Sequence, residues 1–220
     1  MTHVKQHDFV EIDYIGKLKE DNSVFDTTDK EVAKKNGLED KDVNYGPVIV
    51  CVGHSHMMKP FEESLVGREI GKSYSIEVDA ENAFGKKDAR LLQMIPANKF
   101  KQQKIQPFPG LQINVDGMFG IVKTVSGGRC YVDFNHPLAG KDVIYEIKVH
   151  KIITDTKEKL SSFLESHLHS KDFDLHLENG AASVAFKHEL PKDMVSHLEE
   201  ETAKAIPEVK SLIFTVKGQK

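Results

Sequence analysis

A short segment, residues 53–71, combines the residue types that build an apolar binding surface beside a loop. Met57 and Met58 stand just ahead of Phe61. Pro60 suits the first turn of a helix, because its missing N–H is not needed there. A helix of about two turns is marginal in water and must be held by packing. Two methionines and an aromatic ring at its start therefore indicate the deformable floor of a binding pocket.

Two pairs of histidines raise the question of a metal site. His54 and His56 are two residues apart in a strand or loop, where such side chains can share a face. His167 and His169 have the same spacing on a predicted helix, where they do not face each other, and we interpret them as a surface pair. His54 and His56 have no third ligand in view, so no metal site is predicted, and metal delivery is kept only as a competing function.

The composition is that of a folded protein in water. Of the 220 residues, 39% are hydrophobic and 29% charged, with a formal net charge of −4. This charge gives no general attraction to nucleic acid, and no apolar run is long enough to cross a membrane. The first residues lack the apolar core of a signal peptide. Cys51 and Cys130 lie far apart, so we expect a cytoplasmic protein with two reduced core cysteines.

The elements around the pocket segment are mostly strands. Residues 9–19 and 72–78 alternate between apolar and polar side chains, which predicts half-buried strands. Residues 47–52 predict a buried strand that leads into the pocket segment, and residues 143–153 predict a long strand. The pocket helix is therefore expected to pack against a sheet.

Two short helices are predicted in this region. In the pocket helix, Glu62 and Glu63 favour the positive N-terminal end, and Gly67 is placed to end it in a left-handed conformation. Residues 31–35 predict one further turn, closed by Gly37, within a charged surface excursion.

Two more segments have their own patterns. Residues 86–134 predict a compact antiparallel meander with a hairpin on an Asp-Gly turn at 116–117. Residues 155–220 predict an independent α+β unit in the order helix, strand, strand, helix, strand. Asp155 is expected to cap its first helix, with Glu158 three residues on.

A series of short motifs runs through residues 9–153. They are Tyr14-x-Gly16, Phe25-Asp26-Thr27, Val52-Gly53, Phe61-Glu62, Leu65-x-Gly67, Ile70-Gly71, Ala83-Phe84-Gly85, Asn135-His136-x-Leu138-Ala139-Gly140 and Tyr145-x-Ile147. In this order and spacing they resemble the FKBP-type peptidyl-prolyl cis–trans isomerases. The meander is similar to the insert-in-flap domain of the SlyD-like branch, and the added C-terminal unit is typical of the archaeal long-type members.

The resemblance implies an α+β fold, in which an antiparallel sheet wraps on a short helix and carries an inserted small β domain and a C-terminal α+β domain. The implied limits are 1–85 with 135–154 for the isomerase domain, 86–134 for an insert-in-flap chaperone domain and 155–220 for the C-terminal domain. For the last we expect a role in homodimerisation or partner binding.

The resemblance also implies the pocket. Phe61 would be the floor under a proline ring, and Met58 would offer its backbone N–H to a substrate carbonyl. The expected catalytic residues are Tyr14, Phe25, Asp26, Met58, Phe61, Phe84 and Tyr145, and the further substrate-binding residues are Val48 and Met57. Asp26 either polarises the surroundings of the substrate carbonyl or has a structural role, with a bond to Tyr14 or to neighbouring backbone, and both alternatives stay open.

An aromatic pocket of this kind is suited to catalysing rotation about a peptide bond. The barrier to this rotation is ~18–20 kcal/mol because resonance is lost in the twisted state, and an uncatalysed X–Pro bond takes on the order of 10–100 s. No covalent bond is made, so no nucleophile, metal or cofactor is required. A dry aromatic pocket that prefers the twisted, less polar amide provides the catalysis by differential binding.

Two positions depart from the family pattern. The floor is usually Trp, whereas this chain has no Trp and places Phe61 there. Phe84 stands where many members have Tyr, so a hydroxyl that can bond the ligand is missing. We still expect isomerase activity, but not tight binding of the family's macrolide inhibitors.

The meander offers apolar side chains to unfolded polypeptides. By pattern they are Ile95, Phe100, Phe108, Leu111, Met118 and Phe119, although a small meander must bury some of them for its own stability. The predicted function is therefore an isomerase with chaperone activity on polypeptides that contain X–Pro bonds. The alternative is a non-catalytic holdase or assembly module on the same fold. Neither function needs a nucleic acid or a membrane as partner.

Overall fold

The computed structural model describes residues 3–54 and 56–217 as a mixed α+β fold, as predicted. The strands are β1 Phe9–Leu18, β2 Val24–Thr27, β3 Val48–Cys51, β4 Ser73–Val78, β5 Leu92–Pro96, β6 Gln112–Val115, β7 Met118–Ser126, β8 Arg129–Asp133, β9 Val143–Ile153, β10 Asp174–Glu178, β11 Ala181–Phe186 and β12 Ser211–Val216. The helices are α1 Lys30–Lys35, α2 Lys59–Leu65, α3 Ala97–Gln102, α4 Thr156–Leu168 and α5 Lys192–Ala205. No helix within these described residues is long and apolar enough to span a membrane.

The chain divides into two compact units. Met1–Val78 and Val143–Lys220 form the first, which we call the main unit, and Asp79–Asp142 forms the second, which we call the inserted unit. The finer division into three domains stays a prediction.

The main unit is built on a five-stranded antiparallel sheet. Its order is β2-β1-β9-β4. β3 also pairs with β1, on the edge that β2 uses, but opposite residues 9–12 rather than residues 15–17. β1 and β9 pair along their whole length, from Phe9 opposite Ile153 to Leu18 opposite Val143. This long ladder is the scaffold on which the shorter strands and α2 are placed.

Three local signals in the sequence are confirmed. Gly67 follows α2 with a φ of +78°, the left-handed conformation that favours glycine. The hairpin between β6 and β7 turns on residues 116–117, both with positive φ, as a type I′ turn requires. The carboxylate of Asp155 accepts the Glu158 N–H at 2.8 Å and so caps α4.

The C-terminal elements share a hydrophobic core with the sheet. They form a three-stranded sheet in the order β10-β11-β12, in which β11 and β12 run parallel and are joined through α5. Phe9, Cys51 and Ile153 of the large sheet are buried in one cluster with residues of α4 and the C-terminal strands. The α4 members are Leu160, Phe163 and Leu164. A chain ending at Thr154 would therefore expose part of the core of the large sheet.

The inserted unit has its own four-stranded antiparallel sheet, in the order β5-β8-β7-β6. One face packs against α3, and the buried residues of this core are Phe100, Val122, Cys130, Val132 and Phe134. A Cβ on Gly120 would lie 2.6 Å from Phe134 Cε1, so the ring can close over β7 only because residue 120 is glycine.

Because the core is shared, we expect a substitution in α4 to destabilise the whole main unit. Phe163→Ala should lower the free energy of unfolding by about 3–5 kcal/mol, the usual cost of deleting a buried ring. All five tyrosines precede residue 155, so the tyrosine band of the near-UV circular dichroism reports on the chain outside the C-terminal elements. The near-UV transition should shift together with the far-UV transition.

The matched control is Ile213→Ala in β12, whose side chain is 58% exposed and should hardly alter stability. A Phe163→Ala variant that loses only its C-terminal structure, with an unchanged near-UV transition, would contradict the shared core.

Candidate functional site

Four aromatic rings meet on one face of the large sheet, supplied by β1, β2, β9 and α2. The ring centroids of Phe61 and Tyr145 are 5.1 Å apart, with the planes at 89°. Tyr14 lies 5.9 Å from each of them. Phe25 lies 5.8 Å from Tyr145 at 86°. These edge-to-face contacts are the arrangement that aromatic pairs prefer, and we call the four residues the ring pocket.

Gly16 makes the close approach of two of these rings possible. It lies opposite Asp26 on one side and Tyr145 on the other. A Cβ at this position would be 2.8 Å from Phe25 Cζ and 3.0 Å from Tyr145 Cε1. Any side chain at residue 16 would therefore force the rings of Phe25 and Tyr145 apart.

A β-bulge turns Phe25 toward the pocket. The pairing of β1 and β2 passes from Gly16 opposite Asp26 to Lys17 opposite Val24, so Phe25 is the extra residue. In a regular strand, neighbours point to opposite faces, whereas a bulge re-aims one side chain. Phe25 and Asp26 can thus both contribute to the same pocket.

The four rings differ in their access to solvent. Phe61 is completely buried and Tyr145 is 2% exposed, whereas Tyr14 and Phe25 are half-buried. Phe61 therefore supports the other rings from below, as a floor would. In this conformation Phe61 itself has no surface open to a ligand.

Asp26 holds the hydroxyl group of Tyr14. The Tyr14 hydroxyl donates to Asp26 Oδ2 at 2.8 Å, which is one of the two alternatives stated for this carboxylate. Burial, followed by the charge and hydrogen bond of Asp26, raises the pKa of Tyr14. Burial and Asp26 also raise the pKa of Tyr145. Both phenols are therefore neutral in the physiological range and keep their protons for hydrogen bonds.

Glu62 fixes the loop that leads into α2. Its side chain is buried, with 3% of the residue exposed. Oε2 accepts the Gly53 N–H and Oε1 accepts the Met57 N–H, both at 2.7 Å. The sequence interpretation assigned Glu62 only to the helix dipole and missed this role. A carboxylate directly after the buried Phe61 was the available signal, because a buried carboxylate needs donors.

Met57 and Met58 follow this loop and are half-buried. The Met58 carbonyl accepts the N–H groups of Phe61 and Glu62. Its own N–H has no hydrogen-bond partner among the described residues, but its role toward a substrate stays a prediction. Val48 and Met57 line a cleft together with Tyr14, so these predicted residues do come together.

Phe84 lies in the inserted unit. There its ring stacks on His136, with centroids 5.0 Å apart and planes at 2°. The assignment of Phe84 to the pocket stays a prediction.

The apolar residues expected to bind clients fall into two groups. Phe108, Met118 and Phe119 are exposed, whereas Phe100 is buried and Ile95 and Leu111 pack partly against the core. Buried Phe100 stabilises the inserted unit and is closed to a client in this conformation. Further exposed apolar side chains that the sequence analysis missed are Leu92, Met94 and Tyr131.

His54 and His56 each have another histidine as a neighbour. His7 Nδ1 and His54 Nε2 are 2.9 Å apart, and the rings of His56 and His167 lie 5.3 Å apart. The interpretation of His167 as a surface residue is wrong, because it is half-buried and stacks on the core residue Phe163. Within residues 3–54 and 56–217, no group of three or more His, Cys, Asp or Glu side chains is placed to hold a metal ion.

His56 is half-buried, its Nε2 atom is fully buried, and the side chain is neutral. Its Nδ1 accepts the Cys51 N–H at 3.2 Å, so Nε2 carries the proton, and this nitrogen has no partner among the described residues. Burial, with repulsion from His167 and His54, lowers the pKa of His56 to about 4. Burial likewise raises the pKa of the Cys51 thiol to about 12.

His56 makes stability depend on pH in a defined window. Between the ordinary pKa of 6.5 and about 4, the unfolded chain binds a proton that the folded chain excludes. Stability from this residue is thus present above pH 6.5 and decreases toward pH 4. Between pH 7 and pH 5 the loss should be about 2 kcal/mol.

Urea unfolding at the two pH values checks this. His56→Gln, whose amide oxygen can still accept the Cys51 N–H, should show a correspondingly smaller pH dependence. His188→Gln, at an exposed histidine, is the control and should behave as the native chain. The same pH dependence in all three proteins would contradict the assignment.

Comparison with known proteins gives matches in both units. Residues 93–138 match the family model described as the FKBP26 IF domain. A short-type peptidyl-prolyl cis-trans isomerase from Methanocaldococcus jannaschii is 34% identical over 149 residues, which cover 68% of this chain and 94% of the relative. An FKBP-type 16 kDa peptidyl-prolyl cis-trans isomerase from Escherichia coli is 27% identical over 131 residues, 58% of this chain and 83% of the relative. The FKBP-type isomerase SlyD of Yersinia pestis is 29% identical over 138 residues, which cover 61% of this chain and 69% of the relative.

Proposed function

Because the chain belongs to the FKBP-type peptidyl-prolyl cis–trans isomerase family, we propose that its ring pocket accelerates rotation about X–Pro bonds in polypeptides. The observation that carries this proposal is the set of four edge-to-face rings around Gly16. Such a set provides a dry, apolar surface beside hydroxyl groups that stay neutral.

The pocket acts by preferring the twisted amide. A planar X–Pro amide is stabilised by conjugation, which gives the carbonyl oxygen extra negative charge, and this conjugation is lost at the top of the barrier. Transfer from water into an apolar pocket favours the less polar twisted form. Each 1.36 kcal/mol of this preference accelerates the rotation about tenfold. No covalent bond is broken in the step.

The polar groups of the pocket orient the substrate. Asp26 holds the Tyr14 hydroxyl in one direction through the 2.8 Å bond. The Met58 N–H is a donor on the loop that Glu62 fixes. Because the Tyr14 O–H already donates to Asp26, its oxygen can accept a substrate N–H. A substrate carbonyl bound by the Met58 N–H is held while the prolyl side of the bond rotates.

Gly16→Ala tests this proposal. The native chain should accelerate the cis–trans exchange of a short X–Pro peptide, and the variant should lower kcat/KM at least tenfold because the added Cβ separates Phe25 from Tyr145. The control is Ile15→Ala, one residue earlier on β1, where the side chain points to the opposite face. Exchange spectroscopy on the peptide measures both. No acceleration by the native chain would refute the function, and equal rates for Gly16→Ala would refute the pocket.

We further propose that the inserted unit binds unfolded polypeptides. Support comes from one face of its sheet, which is not covered by α3. Met94 of β5 lies opposite Tyr131 of β8, and both are about half exposed. Phe119 and Leu92 are also exposed. Exposed apolar side chains that lie side by side, as Met94 and Tyr131 do, mark interaction sites, and methionine adapts to varied partners.

A double variant tests the chaperone proposal. Met94→Ser with Tyr131→Ser should weaken the suppression of aggregation of an unfolded client several-fold, with an unchanged rate on a short X–Pro peptide. The matched control is Leu38→Ser with Val43→Ser, which alters two exposed apolar residues of the main unit. Equal suppression by both variants would contradict the proposal. Full suppression without peptide isomerisation by the native chain would instead favour the holdase alternative.

We propose a cytoplasmic location for the protein. Cys51 and Cys130 are both buried free thiols, as expected in a reducing compartment. Dimerisation through the C-terminal elements stays a prediction.

A further inference from the structure

A cleft of about 760 Å³ lies between α4 and β3 in the main unit. Val48 and Ile49 of β3 form one wall, and residues of α4 form the other. Tyr14 and Met57 also line it. The volume falls within the range of small-ligand sites, roughly 300–1,000 Å³. Tyr14 belongs to both the cleft and the ring pocket, so the two lie next to each other.

One face of α4 is buried in the core, and another lines the cleft. Leu160, Phe163 and Leu164 are fully buried in the core shared with the large sheet. The cleft is lined by a second, polar stripe of the same helix, which includes Glu158, Ser162, Glu165 and Ser166. These positions follow the spacing of three and four residues that brings side chains to one side of a helix. The stripe is half-buried and is not part of a core.

The stripe matches a polypeptide backbone better than a charged ligand. Glu158 lies 3.7 Å from the Lys151 ammonium group, and Glu165 lies 3.4 Å from that of Lys171. These ion pairs leave little net charge along the wall. The Ser162 hydroxyl donates to the Lys159 carbonyl at 2.9 Å and can still accept an N–H. The Ser166 hydroxyl can donate and accept, so the two serines together suit the alternating N–H and C=O groups of an extended chain.

We propose that the substrate segment next to the X–Pro bond lies in this cleft, so that α4 determines which polypeptides bind well. The inference rests on the proposed isomerase function of the ring pocket. From residue 158 to residue 166 the helix rises about 12 Å, at about 1.5 Å per residue. An extended chain covers this distance with about four residues. A substrate therefore uses the cleft only if it extends about four residues beyond the proline dipeptide.

The experiment compares two X–Pro peptides, one short with blocked ends and one with four added residues on each side. The native chain should have a kcat/KM about tenfold higher on the long peptide, through a lower KM, which corresponds to one or two hydrogen bonds. Ser166→Trp fills the cleft and should abolish this gain without changing the rate on the short peptide. Lys157→Trp, at an exposed position of α4 outside the cleft, should leave both rates as they are.

Each outcome decides one point. No advantage of the long peptide with the native chain, or the same advantage with Ser166→Trp, overturns the inference about the cleft. No acceleration of the short peptide by the native chain overturns the isomerase proposal itself, so the two failures are distinguishable. The short-peptide rate also reports whether the variant is folded. If it falls with Ser166→Trp, the smaller Ser166→Gln takes its place, with a partial loss of the gain expected.

Discussion

The ring pocket depends on the missing side chain at Gly16. β1 is paired with β2 on one side and with β9 on the other, so residue 16 lies between the two strands that carry Phe25 and Tyr145. Their rings close over the glycine to distances that no Cβ would permit. With that contact in place, Phe61 of α2 can support the set from below. The pocket is thus a property of three neighbouring strands and one short helix.

Local signals made much of this fold predictable, because they act within a few residues. Alternation marked β1 and β9, and Gly67 marked the end of α2. The bulge that turns Phe25 inward was not predictable, because it depends on pairing between two strands. The hydrogen bonds from the loop to Glu62 were not predictable either, because the sequence does not show in which direction a carboxylate points. The exposure of Met94 and burial of Phe100 depend on which sheet face α3 covers.

The C-terminal elements show how a core can position a second surface. Phe163 and its neighbours fix α4 against Phe9 and Ile153 of the large sheet. Because a helix has two sides, this burial leaves the polar stripe beside β3 and next to Tyr14. Burial at the same junction explains why His56 stays neutral. The stability of the main unit and the shape of its cleft therefore have a common origin.

The central claim, that X–Pro peptides bind among these rings, can be measured directly through the tyrosines. The chain has five of them, so ring-labelled tyrosine gives a small set of assignable NMR signals. On titration with a short X–Pro peptide, the signals of Tyr14 and Tyr145 should shift, while those of Tyr74 and Tyr131 should stay in place. Accelerated exchange of the peptide with unchanged Tyr14 and Tyr145 signals would contradict the account, because the reaction would then take place elsewhere.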